Sequence, residues 1–134
     1  MLGKSFIDTN ILIYAFSQDE INKKDIANNL IDASSIISKQ VVNELCNIFL
    51  KKFKLPTNDV ENVILEFDDI FEIVDFDLKT QIKALRLKSK YNLQFYDALI
   101  VATALENKCE ILYSEDMQHN LFIEDKLRII NPFL

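Results

Sequence analysis

A chain of 134 residues, 49% apolar and 27% charged with one Gly and two Pro, has the length and make-up of a single domain on one core. This excludes a disordered tail, a collagen-like repeat and a loop-rich scaffold. A net charge of −6 excludes holding nucleic acid by bulk positive charge, so any nucleic-acid role needs a local device.

From the N-terminus, short runs rich in Ile, Val and Phe alternate with longer amphipathic stretches. That rhythm predicts strands over 4–8, 34–38, 72–76, 110–114 and 127–131, with helices between them. After the second strand, Ser38 is placed to cap a helix, and Asp77 to cap the one after the third. Asn58 with Glu61, following Pro56, predicts a cap pair for the helix carrying Val60, Val63, Ile64 and Phe67 at helical spacing. A further helix starting near Asn92 carries Ala98, Val101, Ala102 and Leu105 on its core stripe. Strands separated by helices run parallel with right-handed crossovers. The expected fold is therefore α/β: one domain over 1–134, a three-layer α/β/α sandwich around a central, mainly parallel five-stranded sheet.

Residues 11–16 and 98–105 are the longest uncharged apolar stretches, well short of the roughly 20 residues of a membrane span. The first residues lack the pattern of a secretory signal. Cys46 and Cys109 lie in apolar helical patterns without metal-ligand spacing and suit buried free thiols in a reducing compartment. The expected location is the cytoplasm, with no membrane partner.

In an open parallel sheet, ligands bind beyond the carboxyl ends of the strands. Asp8 closes the first strand and Asp116 follows the fourth. Glu44 sits in the second turn of the helix after the second strand, and Asp97 near the start of its helix. All four are expected at one sheet edge, where their mutual repulsion calls for a cation. Oxygen ligands alone favour Mg²⁺ or Mn²⁺, and that chemistry suits hydrolysis of a phosphodiester. Taken singly, each Asp also reads as a helix cap or a surface acid.

Phe6-Ile7-Asp8-Thr9-Asn10, Val41-Val42-Asn43-Glu44, Tyr96-Asp97-Ala98-Leu99-Ile100 and Leu112-Tyr113-Ser114-Glu115-Asp116 resemble, in order and spacing, the four signatures of PIN-domain ribonucleases. The chain is most similar to the small VapC-type toxins of toxin–antitoxin pairs. The resemblance implies that Asp8, Glu44, Asp97 and Asp116 form a catalytic, metal-binding site in which Asn10 orients Asp8 and its ligands. Ser114 is implied to hydrogen-bond within that site. It also implies an RNA substrate, a homodimer, and an antitoxin segment lying over helices near the site. Where the family often carries a Gly after the last Asp, this chain reads Gln118-His119-Asn120, and Asn120 is the residue suited to a left-handed turn.

Lys79, Lys83, Arg86 and Lys90 recur on one helical stripe and form the expected local device for RNA, with a solvated helix face as the alternative. Lys51, Lys52 and Lys54 form a second basic cluster. His119, the single histidine, reads as a surface loop residue. Phe49, Leu50, Phe53, Leu55, Phe67 and Phe71 are core candidates, some of which could face a partner. The alternatives are a PIN-type nuclease that is not a toxin, a nucleic-acid-binding module without catalysis and, behind these, an aspartyl-phosphate phosphatase of the haloacid-dehalogenase type, which would need a second Asp where Asn10 stands.

Overall fold

The computed structural model describes residues 3–134. Its elements run β1 (Lys4–Ile7), α1 (Thr9–Phe16), α2 (Ile21–Leu30), β2 (Ser35–Ser38), α3 (Lys39–Lys51), α4 (Thr57–Ile70), β3 (Glu72–Val74), α5 (Leu78–Tyr91), α6 (Phe95–Glu106), β4 (Cys109–Tyr113), β5 (Phe122–Ile123) and β6 (Leu127–Ile130). The five expected strands all form. They join a sixth in one sheet of order β3-β2-β1-β4-β6-β5. Every pairing is parallel except β5 with β6.

The sixth strand corrects the expected count, and its connection explains why it was not foreseen. Glu124 and Asp125 both adopt positive φ, 52° and 54°, and Lys126 N–H closes the turn on Ile123 C=O at 3.0 Å. This is the geometry of a two-residue hairpin, normally signalled by Asn-Gly or Asp-Gly. Here Glu124 and Asp125 make it, so the glycine that usually marks such a turn is missing.

Burial shows why the sheet needs helices on both faces. β2 is buried at every position and β1 at Ser5, Phe6 and Ile7, the pattern of strands covered on both sides. α5 packs on α6, and α1 packs on α2 and α3. α6 is buried over residues 98–104 without a break, so it is an all-round core helix and not only a striped one. Phe49, Phe67 and Phe71 are core residues; Leu50 and Phe53 are exposed and Leu55 is half-buried. Cys109 opens β4, a strand rather than a helix, while Cys46 lies half-buried in α3. Among the described residues, no helix is long and apolar enough to cross a membrane.

Two helix starts differ from expectation. α4 begins after Pro56, whose carbonyl accepts from Asp59 and Val60 N–H at 3.0 and 3.1 Å, and the Asn58–Glu61 pair is not the cap. Asn92 ends α5 in the left-handed conformation at φ 55°, with α6 starting only at Phe95. Ser38 and Asp77 do cap: Ser38 accepts from Val41 N–H, and Asp77 forms a reciprocal capping box with Thr80.

Candidate active site

The strand order reverses between β1 and β4. From β1 the chain builds outward through β2 and β3, and on the other side β4 is followed by β6. This is the switch point at which α/β sheets open a crevice beyond their carboxyl ends. Asp8 immediately follows β1 and Ser114 immediately follows β4. Asp8 N–H donates to Tyr113 C=O at 3.0 Å, which stitches the two strand ends together.

Asp8 is buried at 7% exposure. Its Oδ1 accepts from Thr9 N–H at 2.7 Å and its Oδ2 from Ser114 Oγ at 2.8 Å. Burial pushes its carboxyl from 3.8 up to about 6. The Ser114 and Thr9 hydrogen bonds pull it down, and the charges of Asp97 and Glu44 push it further up. Glu44 lies between two donors: Thr9 Oγ donates to Oε2 at 2.7 Å and Gln40 Nε2 to Oε1 at 2.9 Å. Asp116 accepts from the Asn10 amide. Asp97, half-buried in the first turn of α6, is raised by burial and then by the charges of Asp116 and Glu44. Asp97 thus lies within electrostatic reach of the other three acids, and Asp8 of Glu44.

Among the described residues none of the four forms an ion pair. Nor do any three Asp, Glu, His or Cys side chains there already close on one point as a finished ligand cage. Hydroxyl and amide donors hold Asp8, Glu44 and Asp116 in place. An open set of hard oxygen donors, carrying repulsion that no side-chain cation offsets, fits an ion that binds through one or two carboxylates and keeps its waters, as Mg²⁺ does.

One expected contact resolves differently. Asn10 holds Asp116 rather than Asp8, because it lies in the first turn of α1 and faces the loop after β4. Ser114, as expected, bonds within the site. Asn120 takes the left-handed turn at φ 68°. His119 is half-buried and its Nδ1 accepts from Asn131 N–H at 2.9 Å, so it braces a loop. Lys79, Lys83, Arg86 and Lys90 come together on a groove of about 510 Å³ along α5, where Glu124 takes Lys90 at 2.7 Å. At the end of α5, Tyr91 and Asn92 line a separate cavity that reaches Asp97 and Asp116.

Sequence reasoning missed Thr9 and Gln40, although a hydroxyl beside Asp8 and an amide one turn before Glu44 were signals available in it. It also missed the brace on the loop between Ser114 and Asp116. Lys23 pairs with Glu115 at 2.7 Å, Tyr14 OH donates to Glu115 at 2.6 Å, and the Lys23 ammonium lies 4.5 Å from the Tyr14 ring centroid.

An α/β fold with an acidic site at its switch point defines the class of protein. The family model for the PIN domain matches residues 5–121, and the chain belongs to that family. Its fold is similar to that of a toxin–antitoxin complex from Klebsiella pneumoniae, with TM-score 0.74 and 23% identity over 96% of this chain and 98% of that one. It is similar to VapC20 of Mycobacterium tuberculosis, a sarcin–ricin loop cleaving toxin, with TM-score 0.68 and 13% identity over 84% and 90%. DNA-bound VapBC from Salmonella typhimurium gives TM-score 0.66 and 21% identity over 96% and 97%. A sequence comparison with curated proteins finds no match.

Proposed function

We propose that this PIN-domain protein is a Mg²⁺- or Mn²⁺-dependent endoribonuclease and the toxin of a toxin–antitoxin pair. The observation that carries the reading is the gathering of Asp8, Glu44, Asp97 and Asp116 at the switch point with no side-chain cation among the described residues to offset them. In this reading Asp8 and Asp97 hold the metal, with Glu44 and Asp116 completing the site directly or through water. When bound, the metal supplies charge neutralisation at the phosphodiester and a water activated at neutral pH.

The chain's own residues do the positioning. Ser114 and Thr9 N–H fix the two oxygens of Asp8, Thr9 Oγ and Gln40 fix those of Glu44, and Asn10 fixes Asp116. Asp97 is the acid with the fewest restraints. The Lys79, Lys83, Arg86 and Lys90 groove runs along α5, whose C-terminal end borders the cavity that reaches Asp97 and Asp116, and supplies phosphate contacts that the net charge cannot. The antitoxin partner, a homodimer and a cytoplasmic location belong to the same reading; of these, the toxin–antitoxin neighbours support the antitoxin partner. Against the phosphatase alternative, the position where it would need a second acid is Asn10, whose amide is spent on Asp116.

The test is cleavage of single-stranded RNA by the wild type in Mg²⁺ or Mn²⁺, with loss of cleavage in chelator and in both Asp8→Asn and Asp97→Asn. Cleavage that persisted in both variants would overturn the assignment.

A further inference from the structure

α3 buries Val41, Leu45 and Phe49, so Gln40, Asn43, Glu44 and Asn47 share another stripe at i, i+3, i+4 and i+7. They form one wall of a slot of about 690 Å³ whose other side carries Phe95 and Tyr96 of α6, with Gln81 from α5. The slot adjoins the acidic site through Glu44. Gln40 Nε2 spans the two, donating to Glu44 at 2.9 Å and to Tyr96 C=O at 3.4 Å.

The lining chemistry restricts the occupant. Lys39 is the one cation on the slot, and it is paired with Asp75 at 3.5 Å; Glu44 places negative charge on the wall. A phosphate or a peptide carboxylate would meet repulsion there, unlike in the groove along α5. Phe76 and Leu99 add an apolar part to the lining, but a wholly apolar helix would leave the amides of Asn43, Asn47 and Gln81 facing hydrocarbon. A flat, neutral ligand with donors and acceptors on its edge matches both walls, because amides offer both kinds of group and aromatic rings offer a face. Tyr96 is 67% exposed, and its ring is set edge-on against Phe95 with centroids 5.6 Å apart. It is a positioned and accessible stacking surface.

We propose that this slot receives one unpaired nucleobase of the RNA, stacked on Tyr96 and hydrogen-bonded along its edge by Asn43, Asn47 and Gln81. The base fixes the register of the strand and thereby which phosphodiester lies at the acids. Tyr96 is in this sense a specificity-determining residue, and the proposal rests on the ribonuclease reading.

The experiment uses the full chain and two random-sequence single-stranded RNA pools. One is fluorescent with 2′-O-methyl riboses, to read binding; the other is unmodified, to read cut sites by sequencing in Mg²⁺ or Mn²⁺. Tyr96→Ala should weaken binding of the methylated pool about tenfold or more, the cost of one stacked base. Tyr96→Phe should stay within about twofold of wild type, since it keeps the ring. Asn43→Ala with Asn47→Ala should flatten the base preference at one position beside the cut. Wild-type cleavage with unchanged affinity and cut sites in Tyr96→Ala would overturn the slot and leave the nuclease reading standing. Tyr96-dependent binding without any cleavage would uphold the slot and overturn the nuclease reading. Absence of RNA binding would overturn both. Release of a copurified polypeptide by Tyr96→Ala, with RNA affinity unchanged, would assign the slot to a protein partner and overturn the proposal.

Discussion

Ser114 Oγ donates to Asp8 Oδ2 at 2.8 Å across the point where the strand order reverses. The hydroxyl is fully buried and Asp8 nearly so, so the pair ties the ends of the two central strands together through a charge-assisted bond. Ser114→Ala should cost about 1–3 kcal/mol at neutral pH, the penalty for leaving a buried acceptor unmet. It should also raise the Asp8 carboxyl further, because a hydrogen bond that favours the charged form is gone. The check is chemical denaturation at about pH 7.5 and about pH 5: the loss should shrink at the lower pH, where a protonated carboxyl needs the donor less. An equal loss at both would show that Ser114 only fills space.

A carboxyl raised by burial makes the metal-free fold more stable in mild acid. Asp8 stands at about 6 in the fold against an ordinary 3.8. Its protonated form is favoured by folding, so this stabilisation is complete below pH 3.8 and is lost as pH rises through 6. The gap is worth at most about 3 kcal/mol. Asp97 is raised by burial, Asp116 and Glu44 and acts in the same direction. Asp77, held low chiefly by the Thr80 N–H, loses its contribution only at more acid pH. In chelator, stability should therefore climb from about pH 7 to about pH 5. Asp8→Asn should flatten that climb and stabilise the neutral protein, because a carboxamide still accepts from Thr9 N–H while the Ser114 hydroxyl can turn to accept from it. Asp97→Asn should leave the metal-free fold as stable or more so. A marked loss in Asp97→Asn would make it a structural residue of α6.

The acids were legible in the sequence because their placement depends only on where apolar runs stop. Asp8 and Asp116 follow strand ends, and Glu44 and Asp97 fall in early helical turns. The donors that hold them are less legible, because they depend on how elements pack. Thr9 reaches Glu44 across 35 residues of chain and Lys23 reaches Glu115 across 92, and no spacing rule links such pairs. The short strand β5 is hard to read for a local reason: Glu124 and Asp125 take positive φ where Phe122 and Ile123 pair with β6, and the turn has Asp125 but lacks the glycine that usually announces such a hairpin. Asn92 carried a signal that reads in two ways, since Asn caps a helix start or a helix end.

An acidic protein that acts on a polyanion must gather its positive charge where the strand runs. Lys90 is committed to Glu124 at 2.7 Å, which leaves Lys79, Lys83 and Arg86 on the α5 groove for phosphates. In the ribonuclease reading these side chains would supply affinity rather than chemistry, since they line the α5 groove and not the acidic site. Replacing Lys83 and Arg86 together with Gln should weaken binding of single-stranded RNA of any sequence and lower the slope of log affinity against log salt by about one for each phosphate no longer neutralised. Cleavage at saturating RNA should persist, and the distribution of cut sites should not change, which separates this groove from the slot at Tyr96. Binding measured by fluorescence anisotropy across a salt series decides the matter. An unchanged affinity and slope would make the stripe a solvated helix face and move the search to Lys51, Lys52 and Lys54 at the exposed end of α3.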